Sequence, residues 1–386
     1  MIELVSYIIF GIGPLVGNAI LTLLDPIAND FSVVPTAILV AIPSFMFPFA
    51  IFQLFSGALS DSYGRVPITT GGLITLIAGL GLISISSSIT IFAFGYLISG
   101  VGFGLVNPVV LALLSDCSPP LEIPKRMGYA AALASLCVGL GPFIAGLITV
   151  IDWHLYYLII LGVVIFCLVA ILVANRPSKI IHGETGIRAL INNLGMEIRK
   201  RVVLILLVTT FLIPLVYLGS FIWTSRGMTG LVDESLIGLL LLGGGISGTI
   251  AGLLLGQLIR SRGYGFTTAI AIIPHLIAIF LFIIIGDITA PNSIPFVGIA
   301  IILVGWAGGL LFPLMITYGQ VIAPERRGVL AGIVTFSFFL GYALIPSIYE
   351  PIFRIGMLAT YLGILGVSLL LLVFVYILYP RIEAVE

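Results

Sequence analysis

Long apolar runs, separated by short polar or turn-forming segments, make up most of the chain. A bilayer core about 30 Å thick takes about 20 apolar residues in a helix, and twelve runs of that length occur. The runs are continuous rather than alternating, which predicts helices rather than barrel strands. The predicted spans are Leu4 to Leu24, Pro35 to Phe55, Val66 to Ile85, Ile91 to Leu114, Gly128 to Val150, Trp153 to Val173, Val202 to Ile222, Ser235 to Leu255, Phe266 to Ile285, Ile294 to Met315, Val329 to Ile348 and Met357 to Tyr379.

The composition agrees with a chain surrounded by lipid. Of the 386 residues, 60% are hydrophobic and 8% are charged, whereas an average soluble domain is about 25% charged. Zero net charge and the lack of a basic tail argue against nucleic acid as a partner. The sequence therefore predicts an all-α membrane protein whose solvent is the lipid bilayer.

The basic residues predict the topology of the spans, because Lys and Arg near span ends concentrate on the cytoplasmic side. With the N-terminus inside, fourteen of the sixteen Lys and Arg fall in inner segments, and the exceptions are Arg226 and Arg354. We therefore predict that both termini are cytoplasmic and that the protein lies in the cell (plasma) membrane.

The longest interior polar stretch follows the sixth span and divides the chain. It predicts an N-terminal six-helix bundle over residues 1–174, a linker over residues 175–201, and a C-terminal six-helix bundle over residues 202–386. The linker contains either a helix in the membrane interface or an ordinary solvated connector. The interfacial helix is suggested by apolar residues at helical spacing, namely Ile187, Leu190, Ile191, Leu194 and Ile198.

Three features of the first half recur in the second half in the same order. Their offsets are 199, 205 and 200 residues, which is typical of an internal repeat. The recurring features are marked by the pairs Gly57 and Gly256, Gly100 and Gly305, and Gly128 and Gly328.

The loop between spans two and three reads Gly57-Ala-Leu-Ser-Asp61-Ser-Tyr-Gly64-Arg65. Gly64 permits a positive φ, and Asp61 and Arg65 can neutralise each other. The segment resembles the signature loop of the major facilitator superfamily. The resemblance implies twelve transmembrane helices in two pseudo-symmetric bundles, and a latch between the halves that includes Asp116 and opens when the halves rock. The alternative is a topogenic turn with an incidental ion pair.

The second copy of this loop is degenerate. Arg260 stands at the position that Asp61 occupies in the first copy, which puts a second latch in doubt. Glu325, beside Arg326 and Arg327, could supply the missing acid.

Span five contains Gly139-Leu-Gly141-Pro142-Phe-Ile-Ala145-Gly146. This segment is similar to a motif of exporters within the superfamily, although Ala145 and Cys137 replace two of its glycines. Small residues let helices approach closely, and a proline bends a helix by removing one backbone hydrogen bond. The resemblance predicts a hinge at Gly141, Pro142 and Gly146, and it favours export over import.

The first, fourth, seventh and tenth spans line the central cavity in the fold that the resemblance implies. Polar residues of these spans are candidates for substrate contact, or they simply bond a neighbouring helix, which contributes about 0.6 kcal/mol on average. The candidates are Asn18, Thr22, Asn107, Tyr217, Ser220 and Trp306.

Ionisable groups are nearly absent from the middle of the spans, where they are costly and usually functional. No acid lies deep in a cavity span, and Tyr96 stands where related proton-coupled exporters often carry Arg. His275 lies at mid-depth in span nine; because that span is peripheral in the fold, we interpret it as structural rather than as a proton carrier. Proton coupling is left open.

No cofactor, metal or catalytic site is predicted. Cys117, Cys137 and Cys167 lack metal-ligand spacing and are expected to pack in the core. An intramembrane enzyme would need paired acids, a His cluster or an activated nucleophile at depth, and no nucleotide-binding loop is present.

These observations favour a monomeric secondary active transporter that moves a small neutral or amphipathic organic solute by alternating access, in the direction of export. One alternative is an uncoupled sugar or nucleoside facilitator. An alternative of another class is a non-transporting membrane sensor or scaffold.

Overall fold

The computed structural model describes residues 2–174, 195–286, 291–322 and 327–383, which are almost entirely helical. Eleven of the described helices are long and apolar enough to cross a bilayer. One of them, Glu234–Ile285, is interrupted at Gly263, where φ is 77°, and it therefore supplies two spans. The prediction of an all-α membrane protein with twelve spans is confirmed.

We number the spanning helices α1 to α12 in chain order. The interrupted helix gives α8 (residues 234–262) and α9 (residues 264–285), and a short helix, Pro35–Ile38, precedes α2. The other spans are α1 (Ile2–Asp30), α2 (Ala41–Tyr63), α3 (Arg65–Ser84), α4 (Ile89–Asp116), α5 (Ile123–Ile148), α6 (Trp153–Val173), α7 (Arg201–Met228), α10 (Ile294–Ile322), α11 (Arg327–Phe353) and α12 (Met357–Glu383).

Most helices extend beyond the apolar runs that predict them. The run in α1 ends at Leu24, for example, whereas the helix continues through Pro26 to Asp30. An apolar run measures only the hydrocarbon layer, about 30 Å thick, while helices continue into headgroup layers that bring the bilayer to about 40–45 Å.

The alternating helix directions give the bundle two faces of different charge. The face at which α1 begins, called the basic face below, carries Arg65, Lys125, Arg126, Arg201, Arg260 and Arg262. The opposite face, called the acidic face, carries Asp25, Asp30, Asp152, Asp233, Glu234 and Glu350.

Matching glycines in the two halves bring helix backbones into contact. A Cβ added at Gly100 in α4 would meet the carbonyl oxygen of Phe45 in α2, and one at Gly305 in α10 would meet that of Gly244 in α8. These positions are related by 205 residues in α4 and α10 and by 199 residues in α2 and α8, as in the sequence repeat. The next helical turn repeats the contact, with Gly104 against Phe49 and Gly309 against Gly248.

Two helix pairs, α5 with α8 and α2 with α11, form most of the contact between the first six helices and the last six. In the first pair, a Cβ at Gly139 would meet the carbonyl oxygen of Leu241, and one at Gly238 would meet the backbone around Pro142. In the second pair, the ring centroids of Phe49 and Phe339 lie 4.4 Å apart. The bundle boundaries at residues 174 and 202 stay a prediction.

Part of the predicted linker and of the loop before α11 lies outside the described residues. Ile198 belongs to a described helical turn, residues 195–198, and its side chain is 39% exposed. Some residues of the predicted interfacial helix and of the possible second latch lie outside the described residues. They are Ile187, Leu190, Ile191, Leu194, Glu325 and Arg326.

We expect Gly100→Ala and Gly305→Ala to lower the thermal stability of the protein to a similar extent, because each methyl group would press on a backbone carbonyl of the adjacent helix. Overpacking of this kind costs about 1–3 kcal/mol. Melting temperatures of the purified variants in detergent measure the effect. Gly81→Ala in α3 is the matched control, since its Cβ would meet nothing within 4 Å. Unchanged melting of both test variants would contradict the repeat contact.

Candidate functional site

The loop between α2 and α3 forms an ion cluster at the basic face. Gly64 has a φ of 95°, as a tight turn between two helices requires, and Gly57 faces open space. Arg65 Nη1 lies 2.5 Å from Asp61 Oδ1, and Arg65 Nε lies 3.4 Å from Asp116 Oδ2. The Arg65 side chain is 12% exposed, compared with 28% for Asp61 and 37% for Asp116. One guanidinium therefore holds together the ends of α2, α3 and α4.

The loop between α8 and α9 keeps the turn of the first loop but not its ion cluster. Gly263 has a φ of 77°, matching Gly64 in the repeat. Arg260 is exposed and, within the described part of the chain, pairs with no carboxylate, while the Arg262 guanidinium lies 5.6 Å from the ring centroid of Phe266. The repeat thus preserves the backbone conformation of the loop and loses its charge pairing.

The motif in α5 packs at backbone distance against two helices. A Cβ at Gly141 would meet the carbonyl oxygen of Leu15 in α1, and one at Gly146 would meet that of Glu234 in α8. The carbonyl oxygen of Pro142 accepts a hydrogen bond of 2.9 Å from Thr22 Oγ1 in α1. The segment for which a hinge is predicted therefore packs between α1 and the second half of the protein.

Asn18 forms a hydrogen bond between the two halves. Its Oδ1 accepts from the Tyr342 hydroxyl in α11 at 3.0 Å, and its Nδ2 donates to the carbonyl oxygen of Pro14 at 2.9 Å. Both Asn18 and Tyr342 are buried. Sequence reasoning selected Asn18 but gave no signal for Tyr342, since a tyrosine in an apolar helix does not reveal which way it points.

Tyr217 and Ser220 lie in α7. Ser220 Oγ donates to the carbonyl oxygen of Val216 in its own helix at 2.7 Å. The Tyr217 ring is 6% exposed, packs 5.1 Å from the ring centroid of Phe221, and lies where a Cβ at Gly308 in α10 would be. The structure thus brings Tyr217 against α10 and leaves the Ser220 hydroxyl bonded locally.

Asn107 and Trp306 lie in α4 and α10 and have different surroundings. Asn107 is half-buried beside Pro108, and its amide forms no hydrogen bond with the residues that the structure describes. Trp306 Nε1 donates to the carbonyl oxygen of Ile270 in α9 at 3.0 Å. The indole is therefore held by a neighbouring helix, whereas the Asn107 amide is free to bind another group.

A chain of phenylalanine rings crosses between the halves at mid-depth. Phe49 lies 5.1 Å from Phe103 in α4 and 4.4 Å from Phe339 in α11, and Phe338 lies 4.1 Å from Phe312 in α10, measured between ring centroids. We call these five residues the phenylalanine bridge. The sequence did not single them out, because phenylalanine is a common filler of membrane helices.

A second ion cluster at the basic face was also missed. Arg126 in α5 pairs with Glu3 at 2.7 Å and with Glu122 at 2.8 Å. The Tyr7 hydroxyl contacts both Glu3 and the carbonyl oxygen of Arg126 at 3.4 Å. This cluster ties the start of α1 to the start of α5.

A polar cluster joins the end of α1 to the start of α6 at the acidic face. Trp153 Nε1 donates to Asp30 Oδ2 at 3.3 Å, and the His154 ring contacts Asp152 at 2.7 Å. The backbone N–H of His154 also donates to the Asp152 carboxylate, and this bond holds the pKa of Asp152 below its ordinary value. The cluster fixes the start of α6 against the end of α1.

The remaining ionisable and thiol groups of the spans are peripheral or buried. His275 is 2% exposed, and its Nε2 lies 3.1 Å from Ser368 Oγ in α12. Cys137 and Cys167 are buried and free. Among the described residues, no group of three or more His, Cys, Asp or Glu could hold a metal ion.

Known proteins that are similar to this chain include two bacterial proteins. The Quinolone resistance protein NorA of Staphylococcus aureus (strain COL) is 22% identical over 329 residues, which cover 83% of each chain. The MFS-type transporter YceJ of Bacillus subtilis (strain 168), whose function is uncharacterised, is 24% identical over 313 residues, covering 78% of this chain and 76% of YceJ.

The fold is similar to that of a solved transporter. The crystal structure of the nucleoside transporter NupG (D323A mutant) superposes with a TM-score of 0.75 over 97% of this chain and 99% of NupG, at 14% sequence identity. At this identity the likeness shows the fold alone. The sequence model of the Major Facilitator Superfamily matches residues 5–346. Because this match spans most of the protein, the chain belongs to the major facilitator superfamily and is a membrane transporter, not an enzyme.

Proposed function

We propose that the chain is a secondary active transporter that exports a small neutral or amphipathic organic solute by alternating access. The observation that carries this proposal is the uncharged contact between the halves at mid-depth, formed by the phenylalanine bridge and the Asn18–Tyr342 hydrogen bond. Aromatic rings and amides suit an apolar ligand with few hydrogen-bonding groups. A phosphate or dicarboxylate would need Arg or Lys there.

Two observations support export of such a solute. The α5 segment resembles the motif of superfamily exporters, and two of its glycines, Gly139 and Gly146, pack directly against α8. NorA, a quinolone resistance protein by name, aligns with most of the chain, and resistance fits the removal of an amphipathic compound from the cell.

The proposed transport cycle uses contacts at the two faces in turn. At the acidic side, Ser225 Oγ in α7 donates to the carbonyl oxygen of Leu21 in α1, and opening towards that face breaks this bond. At the basic side, Asp61, Arg65 and Asp116 pair with one another within the first half. We propose that this cluster latches the first half to the second half when the basic face closes. We assign the basic face and both termini to the cytoplasmic side of the plasma membrane, in accordance with the distribution of Lys and Arg.

A thermal-shift screen followed by transport tests this function. Quinolones, nucleosides and hexoses are added to the purified protein, and compounds that raise the melting temperature are then tested for uptake into proteoliposomes with and without an imposed pH gradient. We expect amphipathic quinolone-like compounds to stabilise the protein and to accumulate in the vesicles.

The outcomes separate the alternatives. Accumulation that needs the pH gradient assigns proton coupling, and accumulation indifferent to it removes proton antiport. Equilibration of nucleosides or hexoses without accumulation would replace the proposal with an uncoupled facilitator. If no compound moves, the protein is better described as a sensor or scaffold.

A further inference from the structure

A cavity of about 300 Å³ lies at the acidic face, between the end of α7, the end of α11 and the start of α12. Residues of the second half form its wall, and the cavity lies next to the hydrogen bond between Ser225 in α7 and Leu21 in α1. Its wall is formed by Arg226, Thr229, Leu231, Phe353, Gly356 and Met357.

Arg226 enters this cavity without a counter-ion. Its Nε is buried and has no hydrogen-bond partner among the described residues, and its guanidinium lies 5.7 Å from the ring centroid of Phe353. The nearest acid in α11, Glu350, is already paired with Arg354 at 2.8 Å. Partial burial removes water from the guanidinium, and this desolvation costs free energy unless hydrogen-bond acceptors replace the water. The Phe353 ring cannot serve as such an acceptor.

Two further donors lie near Arg226. One acid also lies near the wall: Asp25 Oδ2 in α1 is 3.8 Å from the position of a Cβ at Gly230, but it forms no ion pair with Arg226. Trp223, one turn earlier in α7, is fully buried, and its Nε1–H has no partner among the described residues. Its ring lies 4.8 Å from Phe353, directly behind the cavity wall. The Tyr349 hydroxyl, one turn before Phe353, is likewise buried without a partner. An indole N–H can only donate, so the Trp223 N–H needs an acceptor that the described residues do not supply.

The start of α12 adds its own donors to the cavity. α12 begins at Met357 and runs for 27 residues, so its first backbone N–H groups and the positive end of its dipole lie at the cavity wall. Helix N-termini of this kind bind phosphate and carboxylate groups. The cavity therefore combines a cation, a helix N-terminus and an apolar ring in one place.

We propose that this cavity binds an anionic phosphate or carboxylate group through the Arg226 guanidinium and the N-terminus of α12. The planar guanidinium can hold two oxygens of such a group at once, and Phe353 packs against its apolar part. The group comes either from an anionic lipid headgroup in the adjoining leaflet or from a soluble anion. This proposal does not depend on the identity of the transported solute.

The tryptophans allow a direct test. The chain has three Trp, so Trp153→Phe with Trp306→Phe leaves Trp223 as the only indole, next to the cavity. The protein is placed in nanodiscs of phosphatidylcholine and titrated with inorganic phosphate and with acetate at constant ionic strength. A second preparation contains phosphatidylglycerol. We expect a change in Trp223 fluorescence that saturates with the soluble anion, or a change in the preparation that contains phosphatidylglycerol. A response to phosphate or acetate identifies a soluble anion, and a response to phosphatidylglycerol identifies a lipid headgroup.

Two arginine variants decide whether the change reports on this site. Arg226→Gln is expected to abolish it, while Arg354→Gln, which alters a 76% exposed arginine on the same face, is expected to keep it. If Arg226→Gln does not yield folded protein, Arg226→Lys is used. Because lysine lacks the planar guanidinium that holds two oxygens at once, this variant should bind the anion about tenfold more weakly. No change in any arm, or a change that survives substitution of Arg226, overturns the proposal.

Discussion

Asp61→Asn should reduce transport about tenfold or more while leaving the protein folded and inserted in the membrane. The substitution keeps the size of the side chain but removes the charge that lies 2.5 Å from Arg65. Hydrogen bonds to charged groups contribute about 1.5–3 kcal/mol, and about 1.4 kcal/mol corresponds to a tenfold change in an equilibrium. Arg65 keeps Asp116 as a partner, so the ends of α3 and α4 stay joined and only the proposed latch is weakened.

Transport of the compound selected by the thermal-shift screen measures this effect, and labelling of Cys117, next to Asp116, reports on the cluster without a substrate. Glu122→Gln is a matched control: it also removes one of two acids from an arginine at the basic face, because Arg126 retains Glu3. We expect the control to transport normally. Normal transport by Asp61→Asn would show that the loop is a topogenic turn and not a latch.

The spans and the loop geometry could be predicted from the sequence because each depends on local chemistry. A run of about 20 apolar residues has few alternatives to a spanning helix. Gly64 and Gly263 both have positive φ, as expected where a single residue turns the chain from one helix into the next. The glycine repeat was also visible, since close backbone contact selects the smallest residue at matching positions.

The rotation of each helix about its own axis could not be predicted in the same way. A membrane helix is apolar on all sides, so its sequence lacks the stripe that reveals the buried face of a soluble helix. For Trp306, the sequence left open whether the indole contacts substrate or bonds a neighbouring helix, and in the structure it donates to Ile270 in α9. Conversely, Tyr342 was overlooked although it completes the hydrogen bond of Asn18. Both cases depend on contacts between distant segments.

Gly146→Ala should impair transport as severely as the loss of Asp61, but through packing rather than charge. Its methyl group would lie against the carbonyl oxygen of Glu234 at the start of α8, on the acidic side of the contact between the halves. A backbone carbonyl in a helix cannot move aside without shifting the helix, and overpacking costs about 1–3 kcal/mol. Since about 1.4 kcal/mol is a factor of ten, the conformation closed at the acidic face should be depleted by about fivefold to about a hundredfold.

Transport by reconstituted Gly146→Ala protein measures this effect, and Gly162→Ala in α6 is the matched control. A Cβ at Gly162 would meet nothing within 4 Å, so the control tests only the general effect of alanine in a membrane helix, which by helix propensity is favourable by up to about 1 kcal/mol. We expect the control to transport normally and to melt at the same temperature or higher. Wild-type transport by Gly146→Ala would mean that α5 and α8 separate at this level throughout the cycle, and the hinge would then have to lie elsewhere in α5.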